Sequence, residues 1–232
     1  SYYLYKMKHL VVLTGAGMSA ESGIKTFRDA DGLWEGHDVM EVATPEGYAA
    51  NPELVLDFYN QRRRQLFEVE PNTAHFDLAQ LQNHFKVSII TQNVDDLHER
   101  AGSNHVVHLH GELLKVRSAF DRNDILDWKT DLVLGDKCAK GYQLRPHIVW
   151  FGEDVPMIEK AVEICETANL LIIIGTSMQV YPAASLMHYV PQNIPIYFID
   201  PKPSMSSKQN LTVIADNATI GIKKVIKSII TQ

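Results

Sequence analysis

The sequence has few of the residues that mark a disulfide scaffold, a membrane protein or a nucleic-acid binder. Only two of its 232 residues are cysteine, Cys138 and Cys165, and they lie far apart. That excludes a disulfide framework and makes a reducing compartment the expected setting. No apolar run is long enough to span a bilayer. Residues 1–6 are rich in tyrosine and lack the shape of a signal peptide, so Met7 is the expected natural start. A soluble cytoplasmic protein with no membrane partner is expected. Positive charge is also scarce: 22 Lys and Arg stand against 28 Asp and Glu, a formal net charge of −6. Phosphate binding needs a basic surface, so no nucleic-acid partner is expected. A basic protein or peptide would suit such a surface. Internal repeats and low-complexity tracts are absent as well.

What is present is core material, 45% hydrophobic residues in a chain of one-domain length. Residues 9–14 (HLVVLT) form a β-branched apolar run that stops at glycines. Residues 87–91 (VSIIT), 170–174 (LLIII) and 194–199 (IPIYFI) have the same character, and 106–109 is a shorter candidate. Such runs are continuously apolar, as strands of a parallel sheet covered on both faces are. Helical spacing falls between them, at 52–67, 73–83, 157–168, 183–189 and 220–229. The first opens with Asn51 as N-cap and Pro52 at the first helical position. The alternation predicts an α/β fold, a doubly wound parallel Rossmann-type sheet. Residues 25–83 hold helices but no convincing strand, and 113–145 are polar and irregular. Both are expected to form a smaller inserted domain, with 1–24, 84–112 and 146–232 forming the sheet domain.

The candidate binding residues cluster at the ends of these strands. Gly15, Ala16 and Gly17 follow the first strand, where glycines let the backbone approach a pyrophosphate beside a helix N-terminus. The spacing is not the usual G-x-G-x-x-G, so this turn alone is equally well a structural one. Gly175, Thr176 and Ser177 close the 170–174 run, Gln92, Asn93 and Asp95 follow 87–91, and Asp200 closes 194–199. A carboxylate at Asp200 can accept hydrogen bonds from a ribose diol. Ligands of open α/β sheets bind outside the carboxyl ends of the strands, and four ends with small or polar clusters fit that rule.

GAGMSAESGIKTFRD (15–29), TQNVDDLH (91–98), HLHGE (108–112), RPHIVWFGE (145–153) and GTSMQVYPAA (175–184) together resemble the sirtuins, NAD-dependent protein lysine deacylases. The likeness runs from about Met7 to the C-terminus, with five long motifs in order. It implies that Ala16, Glu21, Phe27 and Arg28 line the NAD site and its covering loop. It implies that Gln92 and Asn93 contact the nicotinamide ribose and Asp95 the nicotinamide carboxamide. Gly175, Thr176 and Ser177 would hold the adenosine half, near Asp200 and Ala218. Val149 and Phe151 would lie along the acyl-lysine, and His110 matches the catalytic base. The chemistry asks for these types. A neutral amide oxygen attacks the ribose only if the leaving group is oriented in a water-poor pocket. The ribose hydroxyl that resolves the adduct then needs a base with a near-neutral pKa, for which histidine is suited. The products would be nicotinamide, free lysine and an acyl-ADP-ribose. A mono-ADP-ribosyltransferase or a non-catalytic NAD sensor is the competing reading.

Taken singly, these residues have plainer roles: Asp95 as a helix cap, or His108 and His110 on one strand face as a metal pair. Residues 51–65 (NPELVLDFYNQRRRQ) place Tyr59 and Arg62 on one helix face. With ATPEGY (43–48) they resemble the sirtuin branch that removes succinyl and malonyl groups. There the tyrosine and arginine read the acyl carboxylate, and a small residue matching Ala43 leaves room for it. By itself the Arg62–Arg64 run would be a solvated basic face.

The chain departs from the family in one respect. Sirtuins usually carry two C-x-x-C pairs between the HGE and WFGE motifs and bind structural zinc, but here that interval holds only Cys138. One thiol cannot build a tetrahedral thiolate site, and Asp121, Asp124 and Asp136 are poor substitutes. No zinc is expected, and Trp128, Leu132, Val133 and Leu134 are expected to form an apolar cluster in its place. Lys25 stands where the family usually has proline.

Overall fold

The computed structural model describes residues 7–25 and 33–230. In chain order, β1 (His9–Thr14) leads into the short helix α1 (Gly17–Ala20), and β2 (Leu33–Trp34) pairs with β3 (His37–Asp38). Four helices follow: α2 (Val39–Val42), α3 (Pro45–Ala50), α4 (Pro52–Leu66) and α5 (Thr73–Gln80). Next come β4 (Lys86–Thr91), α6 (Leu97–Arg100), β5 (Val106–His108), β6 (Gly111–Ser118), β7 (Ile125–Asp127) and β8 (Leu144–Ile148). The chain ends with α7 (Ile158–Glu166), β9 (Leu170–Ile174), β10 (Ile196–Ile199), β11 (Leu211–Ile214) and α8 (Ala218–Ile230).

Six strands form one parallel sheet in the order β11-β10-β9-β1-β4-β5. Its central strands β1, β4 and β9 are buried at every residue but Lys86, because both faces are covered. Leu10 and Val12 point into a core shared with α5 and α8, through Leu78, Ile222 and Val225. Val11 and Leu13 point the other way, toward Ala161 and Cys165 of α7 and Leu186. This is the expected doubly wound α/β arrangement. The 183–189 segment is a 3-10 helix (Ala183–His188), and β11 is a strand absent from the sequence reading.

The irregular segments are more ordered than their composition suggests. Residues 25–83 contain the β2–β3 hairpin, and 113–145 contribute to a three-stranded antiparallel sheet, β7-β6-β8. That sheet starts at Gly111 and ends at Ile148, so it crosses the expected boundaries at 112 and 145. Its cluster holds Leu56, Val116, Leu132, Cys138 and Leu144, with Trp128 and Tyr48 packed on it. Val133 and Leu134 were expected inside and are exposed, because Val133 donates its N–H to Asp136 Oδ2 in a surface turn. The module is tied to α4 by an amide. Asn60 Nδ2 donates to Leu132 O (3.0 Å), while its Oδ1 accepts from Leu132 N (2.7 Å) and from Arg63 Nη1 (2.7 Å). The arginine run is therefore no solvated face: Arg63 is buried and donates Nε to Leu113 O, and only Arg64 is exposed, beside Asp131. No described helix is long and apolar enough to cross a membrane.

Asn60→Ala leaves buried backbone and guanidinium groups unpaired, each unmade bond costing about 1–3 kcal/mol. Arg64→Ala removes an exposed ion pair worth about 0–1 kcal/mol. Urea or thermal unfolding should rank Asn60→Ala far below wild type and Arg64→Ala close to it.

Candidate active site

The turns that follow β1 and β9 interlock. Gly15 N donates to Ile174 O (3.2 Å) and Gly17 N to Gly175 O (2.8 Å). A Cβ on Gly15 would lie 2.6 Å from Thr176 Cβ, and one on Gly17 2.7 Å from Gly175 Cα. Gly175 itself has φ +73°, a conformation L side chains rarely adopt. The glycines are thus needed first for the approach of one turn to the other. Gln92 joins them, its Nε2 donating to Thr176 Oγ1 (3.1 Å).

The segment after β4 carries the densest network. Asn93 Nδ2 donates to Gly15 O (2.9 Å) and, more weakly, to Ser19 Oγ (3.3 Å). Ser19 Oγ donates to Asp95 Oδ2 (2.7 Å), and Asp95 Oδ1 accepts from Leu97 N (3.0 Å). Asp95 therefore sits one residue before Asp96, the N-cap of α6, binds the first N–H of that helix, and still faces the Asn93 network. Burial raises its pKa, against the bonds from Ser19 and Leu97. Ser19 is a site residue the sequence reading missed. Its partners lie 74 and 76 positions away, and no local signal marks it.

Three successive carbonyls of this segment are held by the chain around β5 and β6. Gln92 O accepts from His110 Nδ1 (3.2 Å), Asn93 O from His108 Nδ1 (2.9 Å) and Val94 O from Leu113 N (2.8 Å). A carbonyl can only accept, so His110 carries its proton on Nδ1 and keeps the Nε2 lone pair free. Burial lowers its pKa, with the Gln92 bond opposing, so the ring is neutral at pH 7. His108 behaves differently: its Nε2 meets Glu99 Oε2 at 2.9 Å and Glu112 Oε1 at 3.8 Å. Among the described residues these three side chains bring their possible metal-ligand atoms within 4.8 Å of one another, and His110 is not part of that group. Lys115 Nζ already pairs with Glu112 (3.1 Å).

The other expected cofactor residues fall in four groups. Ala16 and the exposed Ser177 lie in the interlocked turns. Glu21 accepts from Thr219 N (3.1 Å) and Thr219 Oγ1 (2.6 Å), so its carboxylate ties α1 to the start of α8, where Ala218 is buried. Asp200 Oδ1 accepts from Lys202 N (2.7 Å) at the end of β10. Phe27 and Arg28 lie outside the described residues.

On the other wall, Val149 N donates to His110 O and Phe151 N to Ala43 O, both at 2.9 Å. Val149 and the exposed Phe151 therefore run between His110 and Ala43. Tyr59 departs from expectation. It is fully buried, its hydroxyl donating to Val42 O (2.8 Å) and accepting from Trp150 Nε1 (2.9 Å), and burial pushes its pKa far up. Its hydroxyl is used to fix the Ala43 wall and is not offered to a ligand. Arg62 lies over the Phe58 ring (5.0 Å) and 3.9 Å from Glu35.

The Sir2 family matches residues 15–182, and the chain belongs to that family. It is 60% identical over 225 residues to an NAD-dependent protein deacylase of Helicobacter pylori, covering 97% of this chain and 98% of that protein. A solved Sir2 homologue–NAD complex superposes with a TM-score of 0.85 at 40% identity, covering 97% of this chain and 90% of the other. A Sir2–p53 peptide–NAD+ complex does so at 0.78 and 27% identity, covering 97% and 95%.

Behind Thr14, two neutral histidines stack edge to face at 5.1 Å. His75 Nδ1 accepts from Asn72 N (3.1 Å), and His98 Nε2 bonds Thr14 Oγ1 (3.0 Å). Burial lowers the pKa of His75 to about 4, and burial with the charges of His75 and His108 holds that of His98 well below 6.5. The unfolded chain binds these protons near pH 6.5 and the folded chain does not, so stability falls as pH drops from 6.5 toward 4. Thermal melts across that range should show the fall, with a shallower slope in His75→Asn.

Proposed function

We infer that the chain is an NAD-dependent protein-lysine deacylase acting on acyl-lysine proteins or peptides. The observation that carries this reading is the state of His110: neutral, with Nδ1–H fixed on Gln92 O and Nε2 left as a lone-pair base. It sits between the Asn93–Ser19–Asp95 network and the Val149–Phe151 strip. Sir2 membership supports the same reading, and so does the fit of the Sir2–p53 peptide–NAD+ complex. NAD is consumed as co-substrate, with nicotinamide, free lysine and an acyl-ADP-ribose as products. The strand-end groups suit it: Gly15–Gly17, Gly175–Ser177 and Asp200 lie along the edge where a dinucleotide would rest. Asn93 would orient the nicotinamide ribose and Asp95 the carboxamide, while Val149 and Phe151 guide the acyl-lysine. His110 takes the proton from a ribose hydroxyl. The same reading divides the chain into a sheet domain that holds NAD and a smaller lobe that shapes the substrate wall. Mass spectrometry of the reaction should show acyl-ADP-ribose, absent with His110→Ala. ADP-ribose bound to protein instead would favour the transferase.

Arg62 supports a preference for succinyl or malonyl groups. It already faces one carboxylate, Glu35, at a loose 3.9 Å, and both Arg62 Nε and Glu35 Oε1 are buried without a hydrogen-bond partner among the described residues. An acyl carboxylate would match that guanidinium better than Glu35 does. Losing such a contact costs about 2–5 kcal/mol. Arg62→Met should therefore lower the ratio of succinyl to acetyl kcat/KM on matched peptides by a factor of ten or more. An unchanged ratio would remove the acidic-acyl assignment.

The lobe is proposed to hold without zinc. Cys138 is buried in an apolar cluster, Asp121 Oδ1 accepts from Asn123 N, and Asp136 Oδ2 accepts from Val133 N. Elemental analysis should find no stoichiometric zinc, and a chelator should leave the melting temperature unchanged.

A further inference from the structure

His108 and His110 have opposite protonation demands, and the reaction above uses only one of them. We propose that His108 is a positioning residue for nicotinamide cleavage: as an imidazolium it grips the Asn93 carbonyl and keeps Asn93, Ser19 and Asp95 in register. This rests on the reading of Asn93 and Asp95 as contacts to the nicotinamide end.

Both ring nitrogens of His108 face acceptors, Asn93 O at 2.9 Å and Glu99 Oε2 at 2.9 Å. A neutral imidazole has one N–H and would set a bare lone pair against the other oxygen. Only the doubly protonated ring satisfies both, and the ring itself is largely buried, with 6% of its side chain exposed. The gripped residue is also the one whose Nδ2 reaches Gly15 O and Ser19 Oγ, and Ser19 in turn holds Asp95. The grip therefore acts on the site through the backbone and touches no reacting atom.

The charged and titratable groups around the ring come from three elements. Glu99 and His98 belong to α6, Glu112 to β6, with Lys115 as its partner, and Asp95 and Asp96 to the segment between β4 and α6. Burial works against the charge on His108. The hydrogen bond and charge of Glu99, the charge of Glu112 and the Asn93 carbonyl outweigh it, so the pKa stands above 6.5. The imidazolium therefore persists to higher pH than in an ordinary histidine, and it is lost as pH rises through the raised pKa. The grip then loses its charge-assisted bonds.

Exchange of labelled nicotinamide into NAD, with acyl-lysine peptide present, reads the first bond cleavage and not the later step of His110. His108→Asn keeps an N–H for Asn93 O but no charge. It should lower the exchange rate about ten- to a hundredfold and remove the alkaline limb of its pH profile. Glu99→Gln removes the counter-charge and should move that limb to lower pH, a shift that loss of folding would not produce. An alkaline limb unchanged in both variants overturns the proposal. Asn93→Ala separates the two layers. If it abolishes exchange while His108→Asn and Glu99→Gln behave as wild type, the role of His108 is wrong and the site stands. If it exchanges normally, the site reading itself is wrong.

Discussion

Three hydrogen bonds onto three consecutive carbonyls are the constraint on which the site depends. They hold Gln92, Asn93 and Val94 by His110, His108 and Leu113. A loop after a parallel strand has no ladder partner for its carbonyls, and left free it would sample many conformations. Here the chain around β5 and β6 supplies the missing donors. The same bonds set the chemistry: giving Nδ1–H to Gln92 O decides which nitrogen of His110 is basic, and the charge on His108 decides how firmly Asn93 is held.

The site is thus built between two kinds of support. On one side the interlocked glycine turns are extensions of β1 and β9, strands buried on both faces. On the other side lies a wall of small pieces: the Ala43 carbonyl on Phe151 N, the Tyr59 hydroxyl between Val42 and Trp150, and Arg145. Arg145 stacks over the Trp150 ring at 3.8 Å and binds Glu153 through both terminal nitrogens. Family membership accounts for which residues are there. Their hydrogen bonds account for why they stay in place.

Much of this was legible in the sequence. The strands β1, β4 and β9 are continuous β-branched runs, and two-sided burial leaves that pattern and no other. β11 was missed because it is half-exposed and short, and β7 because all three of its residues are exposed. The β2–β3 hairpin has two-residue strands, below any periodicity. Among the residues singled out by motif, Asn93 and Asp95 share one hydrogen-bond network through Ser19, and His110 bonds the neighbouring Gln92 carbonyl. Tyr59 was misjudged because its partner Trp150 lies 91 residues away, and helical spacing says nothing about what a buried face meets. Ser19 and His108 went unassigned for the same reason, since their roles come from groups brought together only by the sheet.

The interlocked turns bear on how a ligand would be received. Gly15 and Gly17 lie against Gly175 and Thr176 with no room for a single added carbon. The two turns therefore move as one body with the core. A dinucleotide arriving across them would meet a surface already shaped, and no conformational freedom would have to be surrendered there on binding. Such a wall favours rapid, weakly temperature-dependent capture of the phosphate end. Any slow ordering step would have to lie elsewhere along the bound molecule.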